Sequence, residues 1–199
     1  MTSRFLCFVV FLLSLAVTSS VHARDAQVYP SERSVSEGDE TYELTLTGQA
    51  KRIFLFFNVY EVAHYVQTAN RAYLSLDNVL DDGAAKALAI TFSRKLGREK
   101  IREELDNSLR RNARAEWLAA AEPTINAFMN AIDRDALDGD QLVFYWLSGG
   151  RIFAEFNGER AFAVTDTAFA KLIWSIWFGE KPACDREALL ASSMSIGDQ

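Results

Sequence analysis

The residues best suited to binding chemistry lie in segment 51–67, which joins one arginine to a long run of aromatic and branched side chains. Arg52 directly precedes this run, and a guanidinium partly removed from water needs an anionic partner because burying its charge alone is costly. A ligand carboxylate would satisfy Arg52 through two parallel hydrogen bonds. The alternatives are a structural ion pair with Glu43 or Glu61, or a surface position at the start of a strand.

Alternation along this segment defines a candidate binding surface. If the strand ran unbroken, one face would carry Arg52, Phe54, Phe56, Asn58, Tyr60, Val62 and His64. Such a face offers an apolar acid one cation, aromatic walls and a phenol. We therefore predict Arg52, Tyr60, Phe54 and Phe56 as ligand-binding residues, with ordinary core packing as the alternative role of the aromatic side chains.

Histidine and cysteine are scarce, which narrows the catalytic and metal chemistry open to the chain. It has two of each, and His22 and Cys7 lie within the first 23 residues. Without them, His64 is the one histidine able to ligate haem iron, and a hydrogen-bonded structural histidine is the alternative. Cys184 is expected to be an unpaired thiol. We predict no catalytic residue, no metal site and no cofactor, with haem binding kept as an alternative.

Residues 1–23 have the three parts of an export signal. Arg4 supplies the charge, an apolar run spans residues 5–17, and Val21-His22-Ala23 forms the cleavage site. The apolar run is about 13 residues long, whereas a spanning helix needs about 20. We predict cleavage after Ala23, no membrane span in the rest of the chain, and a periplasmic or secreted protein.

The composition of the 199-residue chain is that of a globular protein, with 49% hydrophobic and 24% charged residues. Its formal net charge is −6, and removal of the one basic residue in 1–23 makes it −7. This acidic balance gives no support for nucleic acid as a partner. We divide the chain into the signal peptide, a polar N-terminal lead (24–39), one domain (40–192) and a polar tail (193–199).

Strand patterns occupy both ends of the predicted domain. The strand segments are 42–47, which ends at Gly48, then 86–93, and a three-strand meander at 141–147, 151–156 and 160–164. Asn157-Gly158 is the strongest hairpin signal in the chain. In 51–67 the apolar positions fall on both parities, which predicts strands covered on both faces.

Helical periodicity dominates the middle and the C-terminal part of the chain. The helix after Leu96 would carry Ile101, Leu105, Ser108, Leu109 and Asn112 on one face. Further helices are predicted at 75–82, 117–121, 124–132 and 185–190, and another runs from an N-cap within residues 165–167 to about Phe178. Pro123 should break or kink the path. The order of strands and helices predicts an α+β fold with a mainly antiparallel sheet.

Segment 94–114 is strongly basic, with eight lysine or arginine residues against four acidic ones. We interpret it as a solvated helix face with ion pairs between residues four positions apart. An alternative is a surface that meets anionic lipid headgroups or a protein partner.

A family resemblance rests on motifs that follow one another from residue 48 to residue 190. They are Gly48-x-Ala50-x-Arg52, Val59-Tyr60, Tyr65, Gly139-Asp140, Tyr145, Gly149-Gly150, Asn157-Gly158, Phe169, Ile176-Trp177-Phe178-Gly179, Pro182 and Leu189-Leu190. In this order and spacing the chain resembles the bacterial branch of the chalcone isomerase-like family. The resemblance implies an open-faced β-sandwich, in which helices are layered on one face of a large antiparallel sheet and a cleft lies between them.

The resemblance also implies roles for individual residues. Arg52 matches the arginine that this family keeps in its cleft, and Tyr60 stands where the isomerases have a threonine. The isomerases also use a tyrosine and an asparagine on the first long helix. Asn107 is the nearest match for the asparagine, and residues 96–109 contain no tyrosine.

Three functional hypotheses follow from these features. The first is an exported, non-catalytic domain that binds an apolar ligand such as a fatty acid in the sheet–helix cleft, as non-isomerase relatives do. The second is an isomerase or intramolecular lyase with an unknown substrate. The third is a periplasmic protein-interaction module or, as some mitochondrial relatives imply, a haem-binding protein.

Overall fold

The computed structural model describes residues 29–194, which form a seven-stranded antiparallel sheet whose strands pair in sequence order. The strands are β1 (Glu32–Glu37), β2 (Glu40–Phe54), β3 (Phe57–Gln67), β4 (Lys86–Phe92), β5 (Gln141–Leu147), β6 (Arg151–Phe156) and β7 (Glu159–Thr165). The predicted α+β fold and antiparallel sheet are confirmed. Asn157 and Gly158 both have positive φ, as the tight β6–β7 turn requires.

Three helices cover one face of the sheet: α1 (Arg98–Asn112), α2 (Ala115–Ala131) and α3 (Thr167–Phe178). Helix α3 lies deepest, because nine of its twelve residues are buried. Its N terminus is capped by Asp166, whose Oδ1 accepts from the Phe169 amide at 2.9 Å. Short 3₁₀ helices at Thr68–Tyr73 and Ala188–Leu190 and a short helix α4 (Ala191–Met194) complete the fold.

The second face of the sheet is also buried, because the sheet curls and its edges approach each other. Arg151 of β6 pairs with Glu40 of β2 at 2.9 Å, and Arg160 of β7 pairs with Glu37 of β1 at 2.7 Å. A second hydrophobic cluster lies inside this curl and includes Tyr65. A cleft lies between the first face and the helices.

The polar N-terminal lead predicted at 24–39 is wrong for its described part. Residues 32–37 form edge strand β1, paired along its whole length with β2. Tyr29 is buried, and its hydroxyl donates to the Glu61 carbonyl at 2.9 Å. Polar residues hid this strand because an edge strand has one solvated side. Residues 1–28 and 195–199, including the predicted signal peptide, lie outside the described residues.

The condition of an unbroken strand through residues 52–64 is not met. The chain reverses at Leu55-Phe56, so that β2 and β3 form a hairpin in which Arg52 stands directly opposite Tyr60. This turn has no glycine, proline or asparagine, and Leu55 has a φ of 56°. The predicted cover on both faces fails here too, since Phe56 is 95% exposed.

Two helix predictions also need correction. Residues 75–82 form turns, and the 3₁₀ helix stands earlier, at Thr68–Tyr73. Helix α2 continues through Pro123, which lies on its exposed side. Pro123 has no N–H to donate to the Ala119 carbonyl. Because Ala119 is exposed, water can hydrogen-bond to that carbonyl instead, and the helix is not broken. No helix in the described part of the chain is long and apolar enough to cross a membrane.

Gly48 lets the C-terminal segment pack directly on β2. A Cβ at this position would overlap the Ala188 carbonyl oxygen and lie 2.7 Å from the Leu189 carbonyl carbon. Only glycine permits this approach, which brings residues 183–190 across the end of the cleft.

Candidate functional site

A cavity of about 330 Å³ lies between the first face of the sheet and helices α1 and α3. Its apolar lining comes from both layers and includes Val59, Ile90, Phe92, Leu96, Ile101, Leu105, Leu142, Ile176 and Trp177. Its polar lining is Arg52, Tyr60, Arg94, Lys100, Glu104 and Ser108. The volume lies within the range of small-molecule sites, about 300–1,000 Å³.

Arg52 lines this cavity, and among the described residues it has no ion-pair partner. Its Nη1 donates to the Ala183 carbonyl at 2.8 Å, and within residues 29–194 no carboxylate lies at ion-pair distance from it. The structural pairs considered from the sequence are not formed. Glu61 pairs with Lys51 at 3.1 Å, and the carboxylate of Glu43 accepts from the Ser34 hydroxyl. The guanidinium therefore has donors left for a ligand.

Tyr60 is positioned by the hairpin and by helix α3. The Trp177 indole Nε1–H donates to its hydroxyl oxygen at 3.2 Å. Burial raises the pKa of Tyr60 well above its ordinary value, the neighbouring Cys184 raises it further, and the positive charge of Arg52 lowers it in part. The phenol is therefore neutral at physiological pH, and since it accepts from Trp177 its own proton can be donated to a ligand.

Two further cations contribute to the cavity lining. Lys100 is tied to acidic neighbours on α1, at 3.1 Å from Glu103 and 2.8 Å from Glu104. The Arg94 guanidinium lies 5.3 Å from the centre of the Phe57 ring. The lining thus combines an excess of positive charge with apolar walls, which suits an amphiphilic anion.

The predicted site residues divide into two groups. Arg52, Tyr60 and Phe54 line the cavity, although Phe54 is 62% exposed at its rim. Phe56 lies on the hairpin turn and Asn107 on the exposed side of α1, and neither lines the cavity. The placement expected for Phe56 required an unbroken strand, and the one expected for Asn107 required a different helical register.

Sequence reasoning did not name several residues that line the cavity. Ile101, Leu105 and Ser108 belong to the predicted common face of α1, so the helical periodicity already contained the signal. Trp177 of the buried helix α3 lines the cavity as well. Arg94 lies just beyond the end of β4, where no local pattern indicates that a side chain will reach the cavity.

The basic segment 94–114 is mainly a solvated face with internal ion pairs, as interpreted from the sequence. Arg102 pairs with Glu99 at 3.1 Å, and Arg110 pairs with Asp106 at 2.9 Å. These pairs and those of Lys100 neutralise most of the positive charge of α1 with acidic residues nearby.

His64 has a structural environment, buried beneath α3. Its Nε2 accepts from the Trp174 indole at 3.3 Å, so Nδ1 carries the proton and meets the Thr47 hydroxyl at 2.7 Å. Thr47 in turn donates to the Leu189 carbonyl at 2.7 Å. Burial lowers the pKa of His64 well below its usual range. Neither ring nitrogen has a lone pair left for haem iron, so this residue does not fit that role.

Cys184 is a half-buried free thiol next to the cavity. Burial raises its pKa to about 12, and nearby Asp185 contributes to the increase. The thiol is therefore protonated at neutral pH and unsuited to nucleophilic or redox chemistry. Among residues 29–194, no group of three or more histidine, cysteine, aspartate or glutamate side chains is arranged to hold a metal ion.

Comparison with known proteins agrees with this architecture. A family model described as chalcone isomerase-like matches residues 28–190. A crystal structure of an Arabidopsis thaliana fatty-acid binding protein superposes with a TM-score of 0.63 at 14% identity, covering 84% of this chain and all of that one. No curated protein sequence matches the chain.

Proposed function

Because the chain belongs to the chalcone isomerase-like family, we propose that its cleft is a non-catalytic binding site for an apolar carboxylic acid, with a fatty acid as the ligand. The observation that carries this proposal is the guanidinium of Arg52, which lines an apolar cavity and has no carboxylate partner in the described chain. The Arabidopsis thaliana protein with a similar fold is a fatty-acid binding protein, which supports the choice of ligand.

The polar end of the cavity would hold the carboxylate. Arg52 and Tyr60 are opposite each other across the β2–β3 hairpin, so their side chains share the cavity face. The two carboxylate oxygens can accept from the guanidinium and from the Tyr60 hydroxyl together. A charge-assisted pair of this kind contributes roughly 1.5–3 kcal/mol to binding.

The remaining walls would hold the acyl chain. They come from the β3, β4 and β5 side chains below and from Ile101, Leu105 and Ile176 of the helices above. Burying each methylene group of a ligand against such walls stabilises the complex by about 0.8 kcal/mol. Affinity should therefore rise with chain length until the cavity is filled.

We propose a binding role instead of isomerase chemistry because the proton-handling groups of the isomerases are missing. Helix α1 (Arg98–Asn112) contains no tyrosine, and Tyr60 stands in the position of the isomerase threonine. The carboxylate and the amine that α1 contributes to the cavity, Glu104 and Lys100, are paired with each other.

We also propose that the protein is exported to the periplasm or secreted. The support is the pattern of residues 1–23, with Arg4 before an apolar run and a cleavage site after Ala23. Intact mass of the protein recovered from its own cell should correspond to a chain that begins at Arg24, and a retained 1–23 segment would contradict this.

Native mass spectrometry tests the proposed function directly. Protein purified without added lipid should carry a fatty acid at 1:1 stoichiometry, or should take up one equivalent during a titration with saturated acids of eight to eighteen carbons. Calorimetry should show binding that tightens with chain length. The absence of stoichiometric binding at every chain length would overturn the proposal.

A further inference from the structure

The tip of the β2–β3 hairpin exposes five consecutive apolar side chains. The exposed fractions are 59% for Ile53, 62% for Phe54, 73% for Leu55, 95% for Phe56 and 59% for Phe57. We call residues 53–57 the hairpin tip. Contiguous exposed apolar surface of this kind marks a contact with another apolar phase, since water alone disfavours it.

The backbone conformation of the tip is one that leucine adopts at a higher free-energy cost than glycine or asparagine. Leu55 has a φ of 56°, a left-handed conformation that glycine or asparagine adopts at lower cost. A hairpin turn with positive φ at its first central position usually has glycine there. The chain thus keeps a large apolar side chain where turn chemistry favours a small or polar residue.

Several cations lie in the chain segments that flank the tip. Lys51 precedes it on β2, and Arg94, Lys95 and Arg98 follow the end of the neighbouring strand β4. Three of these have acidic partners: Lys51 pairs with Glu61, Lys95 with Asp135 and Arg98 with Glu99.

Arg94 is the exception among these cations. Within residues 29–194 no carboxylate lies at ion-pair distance from its guanidinium, which lies 5.3 Å from the centre of the Phe57 ring. This arrangement, with apolar side chains at the tip and a cation beside them, matches the surface of an anionic membrane, where an acyl region lies beneath a layer of phosphates. There the side chains enter the acyl boundary while guanidinium groups stay among the phosphates.

We propose that the hairpin tip inserts into the surface of a bilayer that contains anionic phospholipid. The tip is too short to cross the bilayer, so the protein would lie on the membrane. Phe54 of the hairpin tip and the adjacent Arg94 both line the cavity. A protein docked through the tip would therefore hold the rim of the cavity against the lipid. A docked protein could exchange its ligand with the membrane, and this part of the proposal rests on the proposed function. The insertion of the hairpin tip does not depend on that function.

Co-sedimentation with vesicles tests the insertion. Wild-type protein should bind vesicles of phosphatidylcholine and phosphatidylglycerol (3:1) more tightly than vesicles of phosphatidylcholine alone, and sodium chloride should weaken the difference. Phe56→Ser should reduce the partition coefficient about tenfold or more. Tyr73→Ser is the matched control, because Tyr73 is 78% exposed at the end of the 3₁₀ helix that follows β3, and it should leave partitioning unchanged.

Depth measurements separate insertion from loose adsorption. In Phe56→Trp, brominated lipids should quench fluorescence beyond the wild-type level, while Tyr73→Trp should show no added quenching. All variants are compared with the same N terminus, established by intact mass, and with circular dichroism as the check on folding. Equal partitioning of wild type and Phe56→Ser would overturn the proposal. A wild-type dimer that dissociates in Phe56→Ser, with no vesicle binding, would assign the tip to a second copy of the chain instead.

The measurements of vesicle binding and of fatty-acid binding test the two proposals separately. Loss of vesicle binding with intact fatty-acid binding in solution would remove only the membrane proposal. Loss of fatty-acid binding with intact vesicle binding would remove only the proposed function.

Discussion

The indole of Trp177 donates to the hydroxyl oxygen of Tyr60 at 3.2 Å, and this contact joins helix α3 to strand β3 at the wall of the cavity. One helical turn earlier, Trp174 makes the corresponding bond to His64 at 3.3 Å. Two tryptophans three residues apart thus hold two polar side chains of one strand face. The bond from Trp177 orients the Tyr60 hydroxyl at the cavity, and the bond from Trp174 satisfies Nε2 of the buried His64.

Adjacent positions on α1 should respond differently to added bulk. Ser108 lines the cavity and Asn107 does not. Ser108→Phe should therefore weaken fatty-acid binding at least tenfold by occupying ligand volume, whereas Asn107→Phe should change affinity less than twofold. Calorimetric titration with dodecanoate measures both. A reversed order would return Asn107 to the site and place the ligand elsewhere on the helix.

Gly48→Ala should destabilise the fold by about 3 kcal/mol, because its Cβ would overlap the Ala188 carbonyl and one segment must move. Gly97→Ala is the matched control, since the nearest atom to a Cβ there is Asp135 Oδ1 at 4.0 Å. Its free energy of unfolding should stay within about 1 kcal/mol of wild type. Urea unfolding compares the two, and equal losses would show that the segment yields at little cost.

The stability of the protein should depend on the titration of His64. Its pKa is lowered in the folded state by burial, so below about pH 6.5 the unfolded chain binds the additional proton. The free energy of unfolding should then fall by up to about 1.4 kcal/mol per pH unit as the pH drops from 6.5 towards 5. His64→Gln, which does not titrate, should lose this part of the slope. An unchanged slope would mean that other groups cause it.

Chalcone cyclisation should not exceed the uncatalysed rate. By the family resemblance, the isomerase tyrosine would lie on helix α1, which contains no tyrosine, and Tyr60 would take the position of the isomerase threonine. Absorbance assays with naringenin chalcone measure the rate. Turnover above the blank that disappears in Arg52→Ala would make the protein an enzyme.

Much of the architecture could be predicted from the sequence, because the local signals agreed with the tertiary structure. Asn157-Gly158 specified its turn, and the α1 periodicity placed Leu105 and Ser108 on the cavity side. The family pattern placed Arg52 correctly in the cleft.

The errors share a physical origin. The β2–β3 turn has Leu55-Phe56 in place of turn residues, so the apolar run concealed a hairpin. Strand β1 is stabilised by pairing with β2 and by the curl of the sheet, which composition does not report. In both hairpins the local residue types differ from those that usually indicate a strand or a turn.

The central claim is that Arg52 binds the carboxylate of an apolar ligand, and paired titrations of an acid and its methyl ester test it most directly. Arg52→Ala should weaken dodecanoate binding by about 10–150-fold, since a charge-assisted pair contributes roughly 1.5–3 kcal/mol. Arg52→Lys should recover only part of that affinity because an ammonium lacks the planar fork. Affinity for methyl dodecanoate should fall less than about threefold in either variant, since the ester is uncharged. Equal losses for acid and ester would show that Arg52, through its bond to the Ala183 carbonyl, supports the fold and not the ligand.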